Sequence, residues 1–131
     1  MGTSCAIGKK MEDGSVRAVR CNWDGYVAGA GAILGGWYAD ENKVDALLAL
    51  GELSQLSEEL TSCVAYHRDR RERLRPAKRF ASVEDYQRTG KGEMAADYLY
   101  LYENGKWQVY GIYHEPDWVK LEIKIGDNKN A

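Results

Sequence analysis

Residues able to do chemistry gather in two stretches far apart along the chain. The first is Asn22-Trp23-Asp24-Gly25-Tyr26, preceded by Cys21. Two rings, an amide, a carboxylate and a glycine fall together where a strand pattern stops and a Gly/Ala-rich stretch begins. Such density at an element boundary suits a binding site. The same residues suit a purely structural role, with Trp23 and Tyr26 as anchors and Asp24-Gly25 as a turn. The second stretch follows Tyr66-His67. From Arg68 to Arg79 there are seven cationic and two anionic side chains, a local charge of +5. The whole chain carries −2, which leaves −7 on the remainder. Charge is therefore polarised along the sequence. A solvated loop accounts for such a run. So does an anion site, because guanidinium forks match phosphate and carboxylate. The candidate anion-binding residues are Trp23, Asp24, Tyr26, Tyr66, Arg68, Arg70 and Arg73.

Catalytic patterns are weaker. Cys63 precedes His67 by four residues, and the two could pair only if the chain turned between them. Asp24, Asp69 and Glu72 could act as acid and base, but nothing fixes their separation. No catalytic residue is assigned, and enzymatic activity is left open as the lesser alternative. Gly29-x-Gly31-x-x-x-Gly35 lacks dinucleotide spacing, and no P-loop motif occurs. Three cysteines without a Cys-x-x-Cys, and two distant histidines, indicate neither a disulfide framework nor a metal centre. No cofactor or metal is expected.

The elements that must position these residues follow from periodicity. Residues 3–11 and 15–23 read as a hairpin around Glu12-Asp13-Gly14, pairing Ile7 with Val19 and Cys5 with Cys21. That register gathers Cys5, Ile7, Met11, Val19, Cys21 and Trp23 on one face, expected to be the buried one. Tyr26 to Tyr38 reads as a glycine-containing helix. A second helix starts at Asp40 and stops at Gly51, with Val44, Leu47 and Leu48 inward. Residues 52–56 suit a turn or strand, 63–66 a short strand. Ser82 caps a third helix, closed by Gly90 and Gly92. Asn104-Gly105 then joins 97–102 to 107–113, pairing Tyr102 with Trp107 and Tyr100 with Val109. Residues 118–125 alternate as a half-exposed edge strand with lysines outward.

The expected fold is therefore a single α+β domain over 1–131, with 126–131 frayed. An antiparallel sheet from two hairpins plus a C-terminal strand would carry about three helices. The face Tyr98, Tyr100, Tyr102 and Trp107 needs cover, from the chain's own helices, a ligand or a second copy in a homo-oligomer. At 131 residues and 44% hydrophobic composition one core suffices. The net charge argues against general nucleic-acid binding, and no apolar run has spanning length. No membrane association and a cytoplasmic location are expected.

Met1-Gly2-Thr3 with Ile7-Gly8, Glu12-Asp13-Gly14-Ser15-Val16, Cys21-x-Trp23-Asp24-Gly25-Tyr26, Leu48-x-Leu50-Gly51-x-Leu53-Ser54, and Tyr66-x-Arg68-Asp69-Arg70 followed by Glu72 together resemble the motifs of a family of small bacteriophage and prophage proteins. That family carries histidine where Asn22 stands and glycine where Arg71 stands. The resemblance implies phage origin and an accessory role in the host cytoplasm. By analogy it points to a stoichiometric binding protein that counteracts bacterial immunity, such as an anti-CRISPR, whose partner is a host defence protein. Sequestration or hydrolysis of a nucleotide second messenger at the arginine and aromatic residues is one alternative, and a structural or assembly protein is another.

Overall fold

The computed structural model describes residues 2–111 and 117–121. The hairpin forms in the expected register. Strands β1 (Cys5–Lys10) and β2 (Val16–Cys21) pair Cys5 with Cys21 and Ile7 with Val19. Gly14 takes φ +89°, which closes the tight loop. Cys5, Cys21 and Cys63 are all buried free thiols.

Past β2 the chain winds as one π-helical stretch, Val27–Gly31, and continues as α1 (Ala32–Trp37). Helix α2 (Glu41–Ala49) buries Val44, Leu47 and Leu48 as its stripe requires. Then come β3 (Leu53–Gln55), a 3₁₀ turn at Leu60–Ser62, β4 (Val64–Ala65) and the short α3 (Tyr66–Arg70). Strand β5 (Lys78–Phe80) precedes α4 (Val83–Met94). The Asn104-Gly105 turn joins β6 (Tyr98–Glu103) to β7 (Lys106–Gly111), pairing Tyr102 with Trp107 and Tyr100 with Val109. Only Val119–Lys120 of the last strand, β8, is described; Ile112 and the strand expected beyond 121 lie outside the described residues.

The fold is mixed α/β with one eight-stranded sheet, in the order β4-β3-β2-β1-β6-β7-β8, and β5 pairs with β2 off that path. The expectation of an antiparallel sheet needs correcting. β1 runs parallel to β6, matching Ile7 with Tyr100, and β2 runs parallel to β3 through Cys21 and Leu53. Among the described residues there are four α-helices, and they cover both sheet faces. Under α1 and α2 lie Cys5, Ile7, Val19, Cys21, Tyr100, Tyr102, Trp107 and Val109. Under α4 lie Ala6, Val16, Ala18, Leu99 and Leu101, with Tyr86 and Phe80. The first hairpin is therefore buried on both faces, where one was expected. The cause is its central place in the sheet.

Two further corrections follow. Helix α4 does not close at Gly90 and Gly92 but passes through both and ends at Ala95, which takes φ +50°. Burial of Gly90 against Tyr86 and Leu99 outweighs its weak propensity. The tyrosine face is roofed by the chain itself. Tyr100 donates from its hydroxyl to Gly25 O at 2.8 Å, Tyr102 to Ala39 O at 2.6 Å, and Trp107 Nε1 to Tyr38 O at 2.8 Å. These buried polar tips are satisfied by loop and helix carbonyls, and of the face only Tyr98 is left half-buried.

Candidate functional site

The parallel β2–β3 pairing builds the corner. Beyond Cys21, Asn22 N–H donates to Leu53 O and Trp23 N–H to Ser54 O, each at 3.1 Å. The ladder thus extends into the Asn22–Tyr26 stretch and fixes it beside β3. Next to β3 stands β4, and α3 leaves from its end. The phenol of Tyr66 meets the side-chain amide of Asn22, which donates to it. Arg70 donates to Ser54 Oγ at 3.4 Å while its guanidinium lies 5.3 Å from the Tyr66 ring centroid. On the same ring Arg75 lies at 5.1 Å. Asn22, Trp23, Ser54, Tyr66, Arg70 and Arg75 therefore form one connected group.

Turn geometry is set by close packing. Gly25 N–H donates to Thr3 O at 2.8 Å, and a Cβ at Gly25 would come within 2.8 Å of Cys5. Only glycine fits that approach. Asp24 takes φ +58°, and its carbonyl accepts from Ala30 N at 2.8 Å. The sequence expectation put Trp23 on the buried face of the hairpin, and this is corrected. Trp23 is 48% exposed and Tyr26 42% exposed, because the turn at Asp24 swings both side chains off the sheet. One face of the indole packs on the Gly2 backbone, where a Cβ would overlap the ring. Met11, expected on the same face, is half-buried.

The arginines divide. Arg68 turns away from the corner: it donates to Asp69, to Leu60 O at 3.0 Å and to Cys63 O at 2.7 Å. It is a latch between α3 and the 3₁₀ turn. The Arg68 side-chain hydrogen bonds, followed by the Ala65 N–H, hold the Asp69 carboxyl below the usual carboxylate range. Arg75 is neutralised by Glu72 at 3.0 Å and Glu52 at 3.6 Å, and Glu52 also meets Arg20 at 3.6 Å. Arg70 meets no carboxylate among the described residues. Arg71 and Arg73 are exposed, with no ion pair among the described residues. No hydrogen bond, ion pair or ring contact among the described residues ties Arg73 to the corner. Of the predicted residues, then, Trp23, Tyr66 and Arg70 come together, and Asp24 and Tyr26 continue the same exposed turn. Arg68 is structural.

Sequence reasoning missed Ser54 and Arg75 as corner residues. Arg75 was visible only as one cation among seven, and Ser54 enters only through strand pairing. The chain does turn after Cys63, as a Cys–His pair would need, yet no pair forms. Cys63 is buried against the Tyr38 hydroxyl at 3.5 Å and Ser57 N at 3.3 Å, whereas exposed His67 engages Glu72 O through Nδ1 at 2.8 Å. Burial, with Cys63 beside it, drives the Tyr38 phenol well above its ordinary range. The facing Cys21 thiol, followed by burial, pushes the Cys5 thiol up, while Cys5 holds Cys21 down; Cys21 Sγ itself donates to Trp23 O at 3.7 Å. Among the described residues no cluster of three metal-ligating side chains occurs, and no helix is long and apolar enough to cross a membrane.

Two concavities lie elsewhere. A groove of about 800 Å³ lies between the hairpin tips and α2, and includes Lys9, Glu41, Asp45, Tyr102 and Glu103. A hollow of about 330 Å³ is lined by Ala39, Trp107 and Leu121, among others. Lys9 is 6% exposed and held by Asp45 at 2.6 Å and Glu41 at 2.9 Å. Desolvation lowers its affinity for a proton, but both carboxylates outweigh that and the net shift is upward. The corner residues line neither of these two concavities. Comparison with known family models, curated proteins and solved structures finds no match to this chain.

Proposed function

We propose that this chain is a stoichiometric binding protein. It takes a nucleotide-class anion on the corner formed by Trp23, Tyr26, Tyr66 and Arg70. The observation that carries the reading is the sharing of Ser54: its carbonyl fixes Trp23 and its hydroxyl receives Arg70. A guanidinium with no carboxylate partner among the described residues and the backbone of an exposed tryptophan are thereby tied to the same strand residue. Rings can stack a base at about 1–3 kcal/mol each, and arginine supplies the phosphate contact. The phage resemblance sets the context. Sequestering a nucleotide signal in the host cytoplasm would counteract bacterial immunity without catalysis.

A thermal-shift series with linear and cyclic nucleotides tests this directly. Saturating ligand should raise the melting temperature, since binding to the folded state alone adds stability. Mass spectrometry of the recovered ligand should show it unchanged; a changed mass would make the chain an enzyme.

A second reading has its own observation. Trp23, Tyr26 and Val27 fall within five residues and are each more than 40% exposed. Such a patch suits docking on a host defence protein, in the manner of an anti-CRISPR. If no nucleotide moves the melting temperature and a host effector is captured stoichiometrically through this patch, that reading replaces the first.

A further inference from the structure

We propose that the guest of this corner carries a single negative charge, as a nucleotide phosphodiester does, and that Glu52 and Glu72 impose that limit. The inference rests on the nucleotide reading above and adds the charge and linkage of the phosphate. Its basis is the set of ion pairs around the Tyr66 ring. Two guanidiniums lie over that ring, Arg70 at 5.3 Å and Arg75 at 5.1 Å from the centroid. Only Arg70 is uncompensated. Arg75 meets Glu72 at 3.0 Å and Glu52 at 3.6 Å, and Glu52 meets Arg20 at 3.6 Å. Those four side chains join two cations to two carboxylates with no net charge. Arg68 is closed in the same way by Asp69 at 2.9 Å. Arg70 instead donates to the Ser54 hydroxyl at 3.4 Å and meets no carboxylate among the described residues.

Backbone bonds fix the arrangement. Glu52 N–H donates to Arg75 O at 3.0 Å, Tyr66 N–H to Glu52 O at 3.3 Å, and Glu72 N–H to Tyr66 O at 3.1 Å. Both acidic residues are thus anchored to the ring and to the arginine they neutralise. Arg71 and Arg73 are exposed, and no side-chain contact among the described residues joins either to Tyr66, Ser54 or Arg70. One guanidinium fork matches the two unbridged oxygens of a phosphodiester. A terminal monophosphate brings up to about twice that charge, and a diphosphate more again. The surplus finds no second uncompensated cation on this ring, and the Glu52 and Glu72 carboxylates repel it. Recruiting Arg75 would break its pairs and leave both carboxylates short of a partner.

Titration calorimetry on the full chain in metal-free buffer tests this. The probes are the cyclic monophosphates, monophosphates and diphosphates of adenosine, guanosine, cytidine and uridine, compared within each nucleoside. The cyclic monophosphate should bind about fivefold tighter than the diphosphate of the same nucleoside, with the monophosphate between them. Glu72→Gln keeps an acceptor for Arg75 and removes the charge. It should raise diphosphate affinity about fivefold and cyclic monophosphate affinity by less. A wild-type chain that prefers diphosphates, or a ranking unmoved by Glu72→Gln, overturns the single-charge assignment and leaves the nucleotide reading standing. Absence of binding by every probe overturns both.

Discussion

Arg70 and Arg68 are two positions apart in sequence and opposite in role. Arg70→Ala removes a cation whose protein partners are a serine hydroxyl and a ring face, a loss of about 0.5–1 kcal/mol. Its melting temperature should barely move while ligand affinity falls at least tenfold; a collapse of stability would make Arg70 structural. Trp23→Ala should behave alike, well short of the ~3–5 kcal/mol of a core indole, because nearly half the side chain is in solvent. Asp69 has its effect through acid. Its folded value is depressed, so its contribution is complete at neutral pH and is lost as pH falls below about 3.9, the usual aspartate range. Asp69→Asn should therefore lower stability at pH 7 and flatten the acid limb, read from urea midpoints at successive pH values. Arg71 sits at φ +59° just past α3, where Glu72 N–H closes back on Tyr66 O. Glycine fits this position without the ~1 kcal/mol strain of a side chain. Arg71→Gly should stabilise the fold, and weaken phosphate binding if its charge serves the guest.

Local turn chemistry made some elements plain and left others hidden. Both hairpin registers were readable, because Glu12-Asp13-Gly14 and Asn104-Gly105 each fix the pairing of the strands they join. The Ser82 cap was equally readable, and Asp85 N–H does donate to its hydroxyl at 3.0 Å. Strand β5 was not. Lys78-Arg79-Phe80 carries a single apolar residue, and its partner on β2 is more than fifty residues away. The end of α4 was misread because glycine marks helix ends only when nothing overrides it. Gly90 and Gly92 now separate by experiment. A Cβ at Gly92 meets nothing within 4 Å, so Gly92→Ala should raise stability by about 0.5–1 kcal/mol. At Gly90 a Cβ would come within 3.0 Å of Tyr86 and 3.2 Å of Leu99, so its propensity gain should be cancelled or reversed. Equal gains at both sites would mean that α4 stands off the sheet.

At the scale of the whole molecule, the two parallel pairings decide everything the sequence left open. Parallel neighbours carry no turn signal, since the connection runs through other elements. The β1–β6 pairing unites the two hairpins, and the β2–β3 pairing brings Trp23 beside Ser54. Candidate site residues could be read as types, but their meeting depends on strand order, and Arg68 shows how sequence proximity misleads. The same topology decides the tyrosine face. A homo-oligomer through Tyr98, Tyr100, Tyr102 and Trp107 would need those side chains outside, yet Tyr100 is fully buried and Trp107 is 4% exposed beneath α1 and α2. Trp107→Ala should therefore cost about 3–5 kcal/mol of the chain's own stability and act as a core deletion. The loss should be the same at every protein concentration, because unfolding of a single chain involves no association step. Melting temperatures of wild type and variant measured over a hundredfold range of concentration separate the two accounts. A midpoint that climbs with concentration in the wild type and stops climbing in Trp107→Ala would place that indole between copies instead of inside one.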